Sequence, residues 1–177
     1  MSELEVLGAG VEKISVLEEE CLPTAIEGLI IGGGFPEMYA AQLESNERMR
    51  KEIKRAAANG LPILAECGGY MYLHKRLIDF SGRAYEMCGV IDGTATMTKR
   101  LQRVSYVECK WDDITFHAHE FHYSVTDVEE NLFTCRNLRD GREYRAGVRV
   151  GNVVGSYMHT HFAGSRGLAE RLFFTRR

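Results

Sequence analysis

The sequence predicts an α/β fold, an open sheet flanked by helices and followed by a β-rich second half. Three observations lead to it. Up to about residue 80, strand-like apolar runs alternate with helical patterns over short connections, in the order β, β, α, β, α, which favours a parallel sheet covered by helices. Two of those strands stop at glycines, Gly32-Gly33-Gly34 and Gly68-Gly69, where a helical pattern follows. Beyond Phe80, short strands separated by turn residues take over. With 177 residues, 45% of them hydrophobic and 27% charged, the chain suffices for a single domain with its own core over residues 1–177.

In chain order, residues 12–17 read as a first strand with Ile14 and Val16 apolar, and residues 28–31 as a second. Phe35-Pro36-Glu37 leads into a long helix over residues 39–59. Met38, Leu43, Met49, Ile53 and Ala57 mark its apolar stripe, and Asn59-Gly60 its stop. Pro62 opens a strand over residues 61–65, and residues 69–77 form the helix behind it. Short strands follow at residues 90–91, 94–98, 104–110 and 114–119, with Asp112-Asp113 at a hairpin tip. Residues 132–136, 144–150 and 153–158 continue the pattern around a turn at Asp140-Gly141, and residues 165–174 close the chain as a helix.

The net charge of −3, with basic residues spread apart from a cluster at Arg171, Arg176 and Arg177, offers no electrostatic case for nucleic acid. No apolar run approaches the ~20 residues of a membrane span, and the acidic start, Met1-Ser2-Glu3-Leu4-Glu5, lacks a signal-peptide core. Five scattered cysteines, Cys21, Cys67, Cys88, Cys109 and Cys135, with no C-x-x-C pair, speak against a disulfide framework or a zinc knuckle and for a reducing, cytoplasmic setting.

Three constellations could carry chemistry. In Ala65-Glu66-Cys67-Gly68-Gly69-Tyr70 an apolar strand ends in a cysteine on a turn into a helix, the layout of a nucleophile elbow. The helix start behind Cys67 is expected to favour its thiolate, although most free cysteines are small buried hydrophobes. Gly32-Gly33-Gly34 lacks the Lys-Ser/Thr of a P-loop and the spacing of a dinucleotide fingerprint. It is either a tight turn or a set of N–H donors for an oxyanion. His117, His119, Glu120 and His122, with His159 and His161, complete the set. Alternation puts His159 on one face with Val153, Gly155 and Tyr157, at the end of a late strand. A histidine there suits the base a catalytic cysteine needs. A metal site on these histidines is the rival reading, but the pattern is not H-E-x-x-H.

Glycine loop, cysteine elbow and late histidine, in this order, resemble a class I, triad-type glutamine amidotransferase. Gly32-Gly33-Gly34-Phe35-Pro36-Glu37, Ala65-Glu66-Cys67-Gly68-Gly69-Tyr70-Met71-Tyr72-Leu73, His119-Glu120-Phe121-His122-Tyr123-Ser124 and Gly155-Ser156-Tyr157-Met158-His159-Thr160-His161-Phe162 resemble its cobyrinate a,c-diamide synthase branch. The resemblance implies a flavodoxin-like open sheet, Cys67 as the nucleophile toward glutamine, His159 as the base, and N–H groups at Gly33, Gly34 and Gly68 for the oxyanion. His161 stands where triad relatives carry a glutamate, so the orientation of His159 falls to Glu120 or His122. The branch further implies ammonia delivery to a synthetase domain or subunit that uses ATP and Mg²⁺ to amidate carboxylates of a cobyrinate-like tetrapyrrole, with no cofactor in this chain. Relative to that branch the chain is expected to be truncated at its N-terminus, with the first strand and the ATP-binding domain absent. A homo-oligomer is left open. A noncatalytic interaction module of the same fold and a metal-dependent hydrolase are the competing functional readings.

Overall fold

A computed structural model describes residues 3–174; Met1, Ser2, Thr175, Arg176 and Arg177 lie outside them. A short helix, α1 (Glu3–Val6), precedes strand β1 (Leu29–Ile31). After the glycine loop come a 3-10 turn at Pro36–Met38 and the helices α2 (Ala40–Ser45) and α3 (Glu47–Ala58). Then follow β2 (Ile63–Glu66), α4 (Gly68–Leu73), β3 (His74–Ile78), β4 (Ala84–Glu86), β5 (Ile91–Met97), β6 (Arg103–Trp111), β7 (Ile114–His122) and β8 (Ser124–Thr126). The chain continues through β9 (Phe133–Asn137), β10 (Glu143–Ala146), β11 (Val148–Val150), β12 (Val153–Ser156) and β13 (Met158–Thr160), and α5 (Arg166–Ala169) runs into a π-helical turn at Glu170–Phe174.

Three sheets result, in the strand orders β1-β2-β12-β11, β10-β9-β6-β7-β13 and β4-β3-β5-β8. In the first, β1, β2 and β12 are parallel and β11 closes one edge antiparallel; the second is antiparallel throughout. The β2 and β12 strands are buried on both faces, as parallel strands covered by other layers require. Ile63, Ala65 and Val153 enter one core with Met49, Ile53 and Tyr70, while Leu64 and Val154 enter a second with Phe116, Phe133 and Leu168. The α/β class and the β-rich second half are therefore as expected.

Several elements differ from their sequence pattern, four of them because a side chain or a distant strand outcompetes local propensity. Residues 12–17 form no strand. Ile14, Val16 and Leu17 pack on the core, and the carbonyls of Val16 and Leu17 are taken by the amides of Asn46 and Gln42. The helix expected over residues 39–59 breaks at Asn46. Its side chain accepts from Met49 N–H as an N-cap and donates to the carbonyls of Val16 and Glu19 at 3.0 and 2.7 Å, the competition with the backbone that makes asparagine a cap residue. The helix behind Cys67 ends at Leu73 rather than at residue 77, because residues 74–78 pair with β4 and β5 and the His74 ring bonds to Tyr70 and Thr126. The segments expected at 90–91 and 94–98 are one strand, β5. Gly147, at φ +71°, breaks the strand expected over 144–150, and the chain changes sheets at Tyr157, so His159 lies on β13 and not on β12. The expected closing helix is only the four residues of α5 and a π turn. Asp112 and Asp113 do form the hairpin tip, and both pair with Arg171 of the basic cluster.

Candidate active site

Cys67 follows β2 directly, at φ +48° and ψ −104°, a conformation that costs a non-glycine residue about 1–3 kcal/mol. Backbone bonds on both sides hold it: its N–H donates to the Ser156 carbonyl at 2.8 Å, and its carbonyl accepts from Met71 N–H at 3.0 Å, which starts α4. The glycine loop lies on this elbow so closely that side chains are excluded. A Cβ on Gly68 would meet the Gly34 oxygen at 2.7 Å, and one on Gly69 the Ile31 oxygen at 2.1 Å. Gly69 N–H bonds to the Gly32 carbonyl at 3.1 Å. On Gly33, a Cβ would fall 2.4 Å from Cε1 of His159, so the imidazole lies against the loop. Cys67, Gly33, Gly34, Gly68 and His159, from three segments of the chain, are thus brought together. The sulfur's own contact is to the Phe121 carbonyl at 4.0 Å.

His159 is set by the pairing of β13 with β7, opposite His119. Opposed residues share a face, and the two rings stand 6.4 Å apart on the outer side of the antiparallel sheet, with Tyr106 a further 5.0 Å from His119. Glu120 pairs with Met158 and points to the other side, where it is buried, bonded by the Tyr144 hydroxyl and 3.6 Å from Arg103. The Arg103 guanidinium also covers the Tyr144 ring at 3.6 Å. His122 stacks on Tyr157 at 4.0 Å, and its Nδ1 is bonded to the Ser124 carbonyl at 2.9 Å. Glu120 is therefore engaged away from His159, His122 has its Nδ1 taken by Ser124, and His161 is exposed at the start of the turn Phe162–Gly164.

A residue outside the expected set reaches the site instead. Glu66 Oε1 accepts both the Thr160 N–H, at 2.9 Å, and the Thr160 hydroxyl. A charged residue closing an apolar strand just before the candidate nucleophile was its signal in the sequence. Its partner, in another sheet, was not legible.

The electrostatics correct the expectation of a resting thiolate. Burial pushes the Cys67 thiol up to about 11; the Gly68 N–H opposes this, and the negative charges of Glu37, Glu66 and Glu120 add to it. The helix start behind Cys67 is a six-residue turn, too short for its dipole to outweigh desolvation. Burial also lowers the His122 imidazole to about 4, against the pull of the Ser124 carbonyl and with the help of Arg103 and His159. Among the described residues no group of three or more His, Cys, Asp or Glu side chains converges to hold a metal. Alternation along β7 sends His117 and His119 to one face and Glu120 and His122 to the other.

The family model of the CobB/CobQ-like glutamine amidotransferase domain matches residues 1–167. The chain belongs to this family. The amidotransferase domain is 43% identical over 167 residues to a cobyrinate a,c-diamide synthase of Caldanaerobacter subterraneus, covering 88% of this chain and 37% of that protein. The corresponding enzyme of Salmonella typhimurium is 40% identical over 172 residues, covering 90% and 37%; that of Listeria innocua is 38% identical over 184 residues, covering 96% and 40%. The domain thus spans about two fifths of the length of these relatives. Among solved structures, a glutamine amidotransferase superposes with a TM-score of 0.68 at 19% identity, over 96% of this chain and 87% of that one. PurLQS of Thermotoga maritima superposes with a TM-score of 0.51 at 19% identity, over 77% and 70%. Both likenesses show the fold.

The rim of the candidate site is apolar and open. Phe35, Met38 and Tyr39 stand exposed on one side, and Val104, Tyr106 and Phe121 on the outer face of β6 and β7, the face that carries His159.

Proposed function

We propose that the domain hydrolyses glutamine through a Cys67 thioester and supplies the ammonia for an ATP- and Mg²⁺-dependent amidation of a- and c-type carboxylates of a cobyrinate-like tetrapyrrole, carried out by a synthetase domain or subunit. The observation that carries this reading is the single site made by a strained cysteine elbow, a glycine loop in backbone contact with it, and a histidine ring against that loop. The name of the relatives, cobyrinate a,c-diamide synthase, suggests the acceptor.

In this scheme His159 takes the Cys67 proton as the sulfur attacks the side-chain amide carbon of glutamine. N–H groups of Gly68 and of Gly33 or Gly34 receive the developing oxyanion. The imidazolium then protonates the leaving nitrogen, ammonia departs, and an acyl-thioester remains. Water, deprotonated by His159, attacks that thioester; the C–S bond breaks, glutamate leaves, and the proton returns to sulfur. The raised thiol pKa makes proton transfer part of the attack. The apolar rim gives the ammonia a dry exit once a partner covers it. The free state of all five cysteines supports a cytoplasmic setting.

The test is hydrolysis of glutamine and labelling by a diazo-oxo-norleucine electrophile. Cys67→Ala abolishes both, and wild-type label sits on Cys67 alone. Label spread over Cys21, Cys88, Cys109 and Cys135, or no label, sinks the reading. A noncatalytic module of this fold is the second reading, favoured by the high thiol pKa and by the sulfur's contact to a carbonyl rather than to His159. It predicts no hydrolysis even with the synthetase half present.

A further inference from the structure

We propose that Glu66 is the positioning residue of the Cys67–His159 pair. The inference rests on the glutaminase reading and names the group that holds its two reacting side chains in register. The two sit on strands of different sheets. The ladder between β2 and β12 ends at the Glu66–Ser156 pair, and β13 takes its backbone partner from β7. Beyond that point the nucleophile turn and the histidine strand are joined at two places. Cys67 N–H donates to the Ser156 carbonyl at 2.8 Å. Glu66 accepts the N–H and the hydroxyl of Thr160 through one carboxylate oxygen.

Tyr157, Met158 and His159 are therefore bracketed between Ser156 and Thr160, each tied to Glu66 or Cys67. Capture of both donors of Thr160 sets its backbone and its rotamer together, and with them the residue just before it. The same carboxylate sits beside the nucleophile, where its charge opposes thiolate formation. Glutamine at this position keeps an acceptor for Thr160 and removes that charge, so positioning and charge can be read separately.

Glutamine hydrolysis is measured against pH for the wild type, Glu66→Ala, Glu66→Gln and Thr160→Val, each checked for folding by circular dichroism. Glu66→Ala is expected to lower kcat about tenfold or more with KM within about twofold. Thr160→Val is expected to lower kcat about threefold. Glu66→Gln is expected to recover most of the kcat lost in Glu66→Ala and to move the acid limb of kcat/KM to lower pH. A Glu66→Ala enzyme with wild-type kcat, or a Glu66→Gln enzyme no more active than Glu66→Ala, overturns the proposal. If Glu66→Ala does not fold, the glutamine and valine variants decide it by the same criteria. If the wild type hydrolyses no glutamine, the glutaminase reading falls by itself. Glu66 is then judged by iodoacetamide alkylation at Cys67 across pH, and rates in Glu66→Ala and Thr160→Val that both match wild type overturn its role.

Discussion

Alanine at position 33 would put a Cβ 2.4 Å from Cε1 and 3.0 Å from Nδ1 of His159, whereas ordinary contact begins near 3.4 Å. The imidazole must then retreat by about 1 Å, since no dispersion gain offsets so deep an overlap. Misplacing a catalytic group by about that much costs on the order of 10²-fold in rate, or about 2.7 kcal/mol of transition-state stabilisation. Stability should change little. The clashing group is a partly exposed ring able to swing, and Gly33 lies outside the left-handed region, so alanine brings no backbone strain. Steady-state glutamine hydrolysis and the thermal midpoint are measured for Gly33→Ala and for Gly32→Ala, whose added Cβ meets nothing within 4 Å. The expected result is a large loss of kcat in the first and not in the second, with midpoints close to wild type. Full activity in Gly33→Ala, or equal loss in both, refutes the placement of His159 against the loop.

Gly69→Ala meets backbone rather than a movable ring, the Ile31 oxygen at 2.1 Å and its carbonyl carbon at 2.7 Å. It should destabilise the domain by about 3 kcal/mol or more, read as the shift in urea midpoint; a midpoint within error of wild type refutes it. Asn46→Ala removes the α3 cap and the bonds that tie down the Val16 and Glu19 carbonyls, for an expected cost of about 1–2 kcal/mol in the same assay. His122 has a folded pKa near 4 against an ordinary 6.5, so the unfolded chain takes up its proton first as the pH falls. Its contribution is complete above pH 6.5 and is lost toward pH 4, about 3 kcal/mol in all. His122→Gln should narrow the gap in stability between about pH 7 and about pH 4.5; an unchanged gap shows that the imidazole is not held neutral.

What the sequence determined on its own is local. The apolar run from Pro62 through Ala65, the cysteine and the two glycines specify a strand, a sharp turn and a helix start, because a chain can pass through φ +48° into so tight a contact only where its neighbours lack side chains. The glycine loop at 32–34 was legible for the same reason, and the hairpin tip at Asp112-Asp113 because aspartate favours turns and tolerates the φ of +53° that Asp112 adopts. Hydrophobic period separated the helices of the first half from the strands of the second. Tertiary structure decided what local pattern leaves degenerate. Residues 74–78 read as helix until β4 and β5 pair with them, and residues 12–17 read as strand though Asn46 and Gln42 take carbonyls a ladder would use. His159 follows β12 in sequence but belongs to another sheet, and that change of sheet turns Glu120 away from it and leaves Glu66 to hold Thr160. Even the charge state of Cys67 follows this division. A helix start argues for a thiolate, but burial and three carboxylates, assembled only by folding, keep the proton on sulfur.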